Sequence, residues 1–484
     1  MKIRSIKANS FINAVRSLLS IVFPLITFKY ASGILLVDNM GKYNFSVSFI
    51  AYFSLIGALG INAYAIRSGA RIRDDRARIE KFVSEVFTLN VISTVVSYVL
   101  LFVILLWAER IFPYRILILI LSTQIMFKTI GVEWLYSIYE DYLFVTVRSI
   151  CIKILALVLV FVLVRQVDDV NNYAWVTVIA AAGNGLIDYV FAYRHCRIRF
   201  TGYLNLREHL GPVMILFAQN ISLVIYVQSD TTILGLLTSD YYTGLYGLAT
   251  NIYTGLKMVL CALVIVAIPR LSFYLGKNDK KNFQNTLNGI FEYMMTFVFP
   301  VIVGVMMLSR EIILILADES FMEADAAIRI LCLSTLFAML SYIYGQCILL
   351  PMKREKIILL STMTGAVVNV ILNFFFIPRL QHNGAAVTTL ISEAVVFLIS
   401  WAAIRDEVRI ENAWRYVLRP VIGMIPIVLT CLTAKHFFAN PVSIAAVAVV
   451  GSVCSYFAVE LWLKNSVILG MVRGLKNKMG GAVG

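Results

Sequence analysis

The sequence predicts an all-α integral membrane protein of about fourteen transmembrane helices, on composition, on the length of its apolar runs and on where its cations fall. Of 484 residues, 60% are hydrophobic and only 14% charged, and the mean hydropathy is +0.83. A soluble domain carries about a quarter of its residues as charges. A chain this long and this apolar cannot hide its surplus in a water-excluding core, so the surplus faces lipid.

Apolar runs of about 17–25 residues, the length that crosses a bilayer as a helix, recur along the whole chain. In the first half they cover residues 10–36, 44–66, 82–108, 113–137, 145–164 and 172–194. In the second they cover 210–237, 243–269, 286–308, 324–350, 357–377 and 384–404, followed by 416–435 and 441–463. Every connection is short, which leaves no room for a soluble domain. The expected organisation is a lobe of six helices over 1–200, a second over 201–410, and two further helices with a cytoplasmic tail over 411–484.

Orientation follows from Lys and Arg. With the N-terminus inside, the inner segments collect about 29 cations, among them Arg67 to Lys81, Arg194 to Arg207, Arg270 to Lys281 and Arg405 to Arg419, against about eight outside. The bias is expected to hold both termini in the cytoplasm. It also explains a net charge of +14 without nucleic acid, because the cations sit in short clusters between apolar runs. The N-terminal segment has cations at Lys2, Arg4 and Lys7, but its apolar stretch carries Arg16 and runs past Tyr30 with no A-x-A-like site. It reads as an uncleaved first helix.

The two halves echo one another. Gly41–Lys42–Tyr43 opens the second run and Gly244–Leu245–Tyr246 the eighth, and each glycine is followed at the same offset by an arginine, Arg67 and Arg270. Parallel repeats of this kind predict a cavity between two related lobes.

Charges within the spans are the candidate functional residues, because a charge at mid-bilayer costs about 2.5–3.5 kcal/mol and usually faces a cavity or a partner. The deep cations are Arg16, Lys29, Lys128, Lys153 and Lys257; the deep acids are Glu133, Asp188, Asp230, Glu292 and Glu393. Arg16, Lys29 and Glu133 are within reach of an interface and can also be read as snorkelling. The cations suit a phosphate or pyrophosphate headgroup, Lys as a mobile point charge and Arg as a two-pronged clamp. Asp230, Glu393, Glu292 and Asp188 are candidates for ion coupling.

No enzyme-like constellation appears. His195, His209, His382 and His436 are isolated, the scattered cysteines form no C-x-x-C, and no G-x-x-x-x-G-K-[ST] offers a nucleotide site. Neither metal nor cofactor is expected, and energy has to come from an ion gradient, the membrane potential or consumption of product.

Several stretches carry a family resemblance. Gly131–Val132–Glu133–Trp134–Leu135–Tyr136, followed by Glu140–Asp141–Tyr142 and Arg148–Ser149, resembles the fourth-to-fifth-helix junction of Wzx-type polysaccharide flippases of the multidrug/oligosaccharidyl-lipid/polysaccharide exporter superfamily. Asp230 with Leu234–Gly235 and Gly244–Leu245–Tyr246, Pro269–Arg270–Leu271, and Asn369, Asn373, Pro378, Gly384–Ala385–Ala386 and Glu393 are similar to its later motifs. The resemblance implies two six-helix lobes in a V around a central cationic cavity, plus two C-terminal helices. It implies translocation of an undecaprenyl-pyrophosphate-linked oligosaccharide, such as an O-antigen unit, across a bacterial inner membrane by alternating access. A polysaccharide polymerase and a chain-length regulator are then expected partners. A multidrug or cation antiporter of the same superfamily and, from another class, a membrane polymerase or ligase remain alternatives at this point.

Overall fold

The computed structural model describes residues 6–202 and 205–480, without the side chains of 6–22, 206–207, 263 and 474–480. The described residues form helices and no strand. In order these are α1 (Ile6–Ala58), α2 (Ile61–Gly69), α3 (Arg76–Trp107), α4 (Arg115–Gly131), α5 (Glu133–Ile138), α6 (Tyr142–Leu163), α7 (Val170–Ala192) and α8 (Leu206–Leu237). There follow α9 (Asp240–Ile265), α10 (Ile268–Gly276), α11 (Lys280–Met307), α12 (Ser309–Leu316), α13 (Asp325–Tyr342), α14 (Glu355–Ala402), α15 (Ala413–Phe437), α16 (Pro441–Trp462) and α17 (Ser466–Gly480). A π-helical turn, Ile343–Leu349, extends α13.

Among the described residues, 11 helical stretches are long and apolar enough to cross a membrane. Two of them, Phe23–Gly69 and Glu355–Ala402, run to 47 and 48 residues, about twice what one crossing needs. Each of the helices α1 and α14 is broken where one residue leaves helical geometry with a positive φ, Leu36 at 60° and Gln381 at 49°. These breaks lie where the apolar pattern predicts separate helices. The chain reverses its local geometry there within a residue, without a polar loop. Outward-facing apolar side chains, such as Val99, Leu106 and Trp107 on α3 and Val449, Val450 and Val453 on α16, cover the helices where lipid is the solvent.

Helix starts follow ordinary capping chemistry. Asp75 accepts from the Arg78 amide at 3.2 Å to open α3, Asp279 from that of Asn282 at 3.1 Å to open α11, and Asn440 from that of Val442 at 2.9 Å ahead of Pro441 in α16.

The chain divides into two compact units, Met1–Gly244 and Leu245–Gly484. Within the first, α8 lies against α1 on small residues: a Cβ at Gly235 would strike the Phe45 ring, and Thr232 donates to Ser48 at 3.0 Å. The two echoed glycines sit at one crossing. A Cβ on Gly41 would land on the Asp240 carbonyl, and one on Gly244 would land on the Val37 carbonyl. Only glycine lets these backbones meet.

The start of α8 is locked to α2 and α3 by a buried imidazole. His209 Nδ1 lies 2.7 Å from the Tyr64 hydroxyl and Nε2 lies 2.7 Å from the Glu85 carboxylate. The carboxylate only accepts, so Nε2 carries a proton, and in the neutral ring Nδ1 then accepts from Tyr64. Upstream, an extended strap runs along α3. The amides of Arg197, Arg199 and Thr201 donate to Glu80 Oε1, Ser84 Oγ and Thr88 Oγ1 at 3.4, 3.2 and 3.1 Å. Two extended residues rise about 6.6 Å and four helical ones about 6 Å, so every second strap amide meets every fourth helix residue. This matching solves the problem of burying loop backbone without a sheet.

At the turn before the strap, His195 stacks on Tyr139 (4.6 Å between centroids, 18° between planes) and lies 3.6 Å from Asp141 Oδ2. Burial pushes its imidazole pKa below the usual value, and Asp141 opposes this in part. A depressed histidine pKa means that the folded state holds the neutral ring while the unfolded chain takes up a proton. The contribution is therefore complete above the unfolded pKa of about 6.5 and is lost as pH falls through the folded value. The melting temperature of the purified protein is expected to fall between pH 7.5 and 5.5, and to fall less in His195→Gln. Equal slopes in thermal unfolding scans would contradict this.

Candidate functional site

The first unit encloses a cavity of about 360 Å³ bounded by α1 and α2 (Ser54, Asn62), α4 (Lys128), α5 (Glu133, Trp134), α6 (Arg148) and α7 (Asn184, Asp188). Two glycines make it. A Cβ on Gly131 would come within 2.8 Å of the Gly185 Cα, and one on Gly185 would strike the Phe127 carbonyl. The ends of α4 and the middle of α7 therefore touch backbone to backbone, which draws the charges of both helices to one wall.

Immediately after Gly131, the chain turns at Val132, a fully buried β-branched residue at φ 43° and ψ 39°. Such a residue disfavours the left-handed region, at a cost on the order of 1–3 kcal/mol. The turn ends α4 and starts α5, so that Glu133 and Trp134 face back toward the cavity instead of continuing the α4 register.

The floor of the site is an ion pair. Arg148 Nη1 contacts Asp188 Oδ1, with side chains 4% and 2% exposed, and Nη2 lies 4.0 Å from Glu133 Oε2, which is 51% exposed. The Tyr136 hydroxyl donates to the Asp188 carbonyl, tying α5 to α7 at the same level. Lys128 also lines the cavity and is exposed there. Asn184 donates from Nδ2 to Ala180 O at 2.8 Å, while its Oδ1 has no hydrogen-bond partner among the described residues; the buried Trp134 Nε1 likewise has none. The cavity thus presents an ammonium, a guanidinium held between two carboxylates, and unsatisfied amide and indole groups. It is suited to a polar ligand.

The other deep charges are distributed as follows. The side chain of Arg16 lies outside the described residues. Lys29 is exposed on α1, and Lys153 is half-buried on α6, one turn beyond Ser149, which lines the cavity. Asp230 is buried on α8, close to Tyr52. In the second unit Lys257 and Glu393, singled out as a headgroup cation and a coupling acid, pair with each other at 2.8 Å, and Tyr253 donates to the same Glu393 oxygen at 2.7 Å. Glu292 accepts from Ser466 Oγ at 2.5 Å and lies 3.7 Å from Arg419, joining α11 to α17 and α15.

Arg148, one of the roughly 29 cations of the inner segments, is not among the deep charges singled out from the sequence. Its signal was nonetheless present: Arg148 falls inside the apolar run 145–164, and Asp188 inside the adjacent run 172–194. Two opposite charges buried in neighbouring spans are a pair by default.

Removing one partner of a buried pair strands the other, at about 3–5 kcal/mol. Arg148→Ala or Asp188→Ala is therefore expected to lower the melting temperature sharply. The apolar double replacement Arg148→Met/Asp188→Leu is expected to recover most of that loss. Additive losses in a double-mutant cycle would show that the two charges act separately. Gly185→Val is expected to abolish the monodisperse peak in size-exclusion chromatography. Gly289→Ala, where a Cβ meets nothing within 4 Å, is expected to leave it unchanged.

Comparisons with known proteins place this architecture. The sequence matches the family described as "Polysaccharide biosynthesis protein" over residues 6–275 and the MatE family over 216–375. It is 21% identical to a candidate O-antigen transporter of Escherichia coli K12 over 407 residues, 83% of this chain and 97% of that protein. It is 26% identical over 171 residues, 35% of this chain and 36% of the relative, to a protein of Haloferax volcanii named as a candidate low-salt glycan biosynthesis flippase, Agl15. Among solved structures, the lipid II flippase MurJ in an inward closed conformation superposes with a TM-score of 0.73 at 14% identity, covering 95% of this chain and 99% of that one. An inward-facing multidrug resistance transporter of the MATE family superposes with 0.61 at 14% identity, covering 84% and 99%. These two share the fold with this chain. With more than half of its length matched by one family and its helices arranged as in known transporters of that fold, the chain is a multi-pass membrane protein belonging to the polysaccharide biosynthesis protein family.

Proposed function

We propose that this protein is a flippase for undecaprenyl-pyrophosphate-linked oligosaccharide repeat units. It carries them by alternating access from the cytoplasmic to the periplasmic leaflet of a bacterial inner membrane, with both termini in the cytoplasm. The observation that carries this reading is the exposed Lys128 beside the buried Arg148 in a cavity within membrane-spanning helices. Family membership and relatives named for O-antigen transport and glycan flipping support it.

The cavity of about 360 Å³ lies near the lower end of the roughly 300–1,000 Å³ usual for ligand sites. It matches a headgroup rather than a whole glycolipid. In this reading the diphosphate sits against Lys128, whose single mobile charge accommodates a moving anion, while Arg148 is pre-aimed by Asp188 and Glu133. Asn62 and Asn184 are placed to hydrogen-bond sugar hydroxyls. Lys29, Lys153 and Arg16 serve as further cations along the passage. The Lys257–Glu393 pair, Asp230, Asp188 and Glu292 are the coupling candidates. Of these, the pair is the one that an arriving proton or competing cation would open. A polysaccharide polymerase and a chain-length regulator act downstream.

Lys128→Ala is expected to cut export of the repeat unit about tenfold or more, the loss of one charged hydrogen bond at about 1.5–3 kcal/mol, with unchanged protein in the membrane. Lys128→Arg is expected to restore part of it. The measurement is mass spectrometry of lipid-linked glycans in each leaflet in a gene-deletion strain complemented by each variant. An unchanged leaflet distribution on deletion, or drug efflux from vesicles with no change in glycans, would overturn the assignment. Glu393→Gln is expected to make export insensitive to the proton gradient; retained sensitivity would remove Glu393 from the coupling step.

A further inference from the structure

The second unit contains a larger cavity, about 710 Å³, that the transport reading does not use. Its walls are apolar and aromatic: Phe291 and Phe299 on α11, Leu340 on α13, Tyr344 in the π turn, and Phe397 and Trp401 at the end of α14. The loop joining α14 to α15 closes one side, and there the lining changes to Arg405, Asp406 and Arg409.

That loop is firmly built. Glu407 is gripped by Arg354 through two bonds of 2.7 and 2.8 Å. Gln284 Nε2 donates to the Arg409 carbonyl at 2.6 Å, and the Glu411 amide donates to Asn288 Oδ1 at 3.2 Å. These tethers engage the loop's backbone and its Glu407 carboxylate. The exposed guanidinium of Arg405 has Asp406 3.9 Å away, itself 83% exposed, and the side chain of Arg409 is exposed on the same side.

Depth is marked independently. Trp401 is 38% and Trp414 62% exposed, each with an arginine near its ring, Arg405 at 5.6 Å and Arg415 at 5.2 Å. Exposed tryptophans with flanking cations mark the level of lipid headgroups.

We propose that this cleft is a binding site for an anionic phospholipid. One acyl chain lies between α11, α13 and α14, and the phosphodiester is held by Arg405 and Arg409. The complementarity is twofold. The aromatic walls fit a flexible hydrocarbon chain, and two guanidinium forks at headgroup depth fit phosphate oxygens. A zwitterionic lipid offers the same chain but brings an ammonium to a side that is already cationic. The bound lipid fills the space beside Phe291 and Phe397 and so braces the loop between α14 and α15.

The test is native mass spectrometry of the full-length protein released from nanodiscs that contain phosphatidylglycerol and phosphatidylcholine in equal amounts. The wild type is expected to retain phosphatidylglycerol preferentially. Arg405→Gln/Arg409→Gln is expected to lose that preference by about tenfold or more, as two interfacial charges are removed, while binding phosphatidylcholine as before. Should the double variant not reach the membrane, Leu340→Trp fills the cleft and leaves the arginines, and it is expected to lose the bound lipid equally. Equal retention of both lipids by the wild type, or of phosphatidylglycerol by the variants, would overturn the proposal. So would stoichiometric displacement by undecaprenyl phosphate, which would give the cleft to the transported lipid's tail. Because glycan flipping is measured separately, failure here leaves the transport assignment standing.

Discussion

The contact between Arg148 and Asp188 governs the chemistry of the first unit. Neither group tolerates the bilayer alone: an unpaired charge there costs several kcal/mol, and desolvation leaves each side chain dependent on the other. The pair is not simply neutral, however. Glu133 approaches Arg148 from a more exposed position at 4.0 Å. The guanidinium thus has one fixed partner and one that an incoming anion can replace at modest cost. Lys128, on α4, adds a cation with no carboxylate at close range among the described residues. A site can in this way be structurally closed and still electrostatically open.

That arrangement depends on residues with no side chain at all. Gly131 and Gly185 allow α4 and α7 to meet backbone to backbone, as small residues do wherever membrane helices pack without a hydrophobic driving force. With α4 and α7 held together, the turn at Val132 is forced into an unfavourable region, and full burial of the valine keeps it there. The strained turn in turn aims Glu133 and Trp134 at the cavity. Backbone contact, strain and electrostatics are therefore successive steps of one construction.

Helices and their apolar faces were legible in the sequence because lipid imposes a single length and a single polarity on every span. The membrane class and the helical fold were reached that way; the family was reached through short motifs such as Gly131–Tyr136 and Gly244–Tyr246. The break at Gln381 falls between two predicted spans and that at Leu36 on the last residue of one, but their form was not legible, since nothing in the local composition marks a non-glycine residue at positive φ. Individual deep charges were legible as exceptions. Their pairings were not: Lys257 and Glu393 lie far apart in sequence and were read as separate cation and acid sites, yet they share one hydrogen-bonded cluster with Tyr253. Arg148 escaped notice for the opposite reason. An arginine three residues inside a span looks like an orientation signal until its carboxylate partner on another helix is seen.

The same distinction between paired and available charge separates the roles of the cations. Lys257 already spends its charge on Glu393 within hydrogen-bonding distance, so any ligand there must first break a bond worth more in a dry environment than in water. In the proposed transport cycle this makes the pair a candidate for the coupling step rather than a binding site. Lys128 lines the cavity wall with no close carboxylate among the described residues, so an anion gains attraction there without first breaking an ion pair. In the proposed transport cycle the two kinds of cation divide the work, one attracting the load and the other registering that an ion has come or gone. A chain that buried all its lysines in pairs would hold its fold equally well and attract nothing.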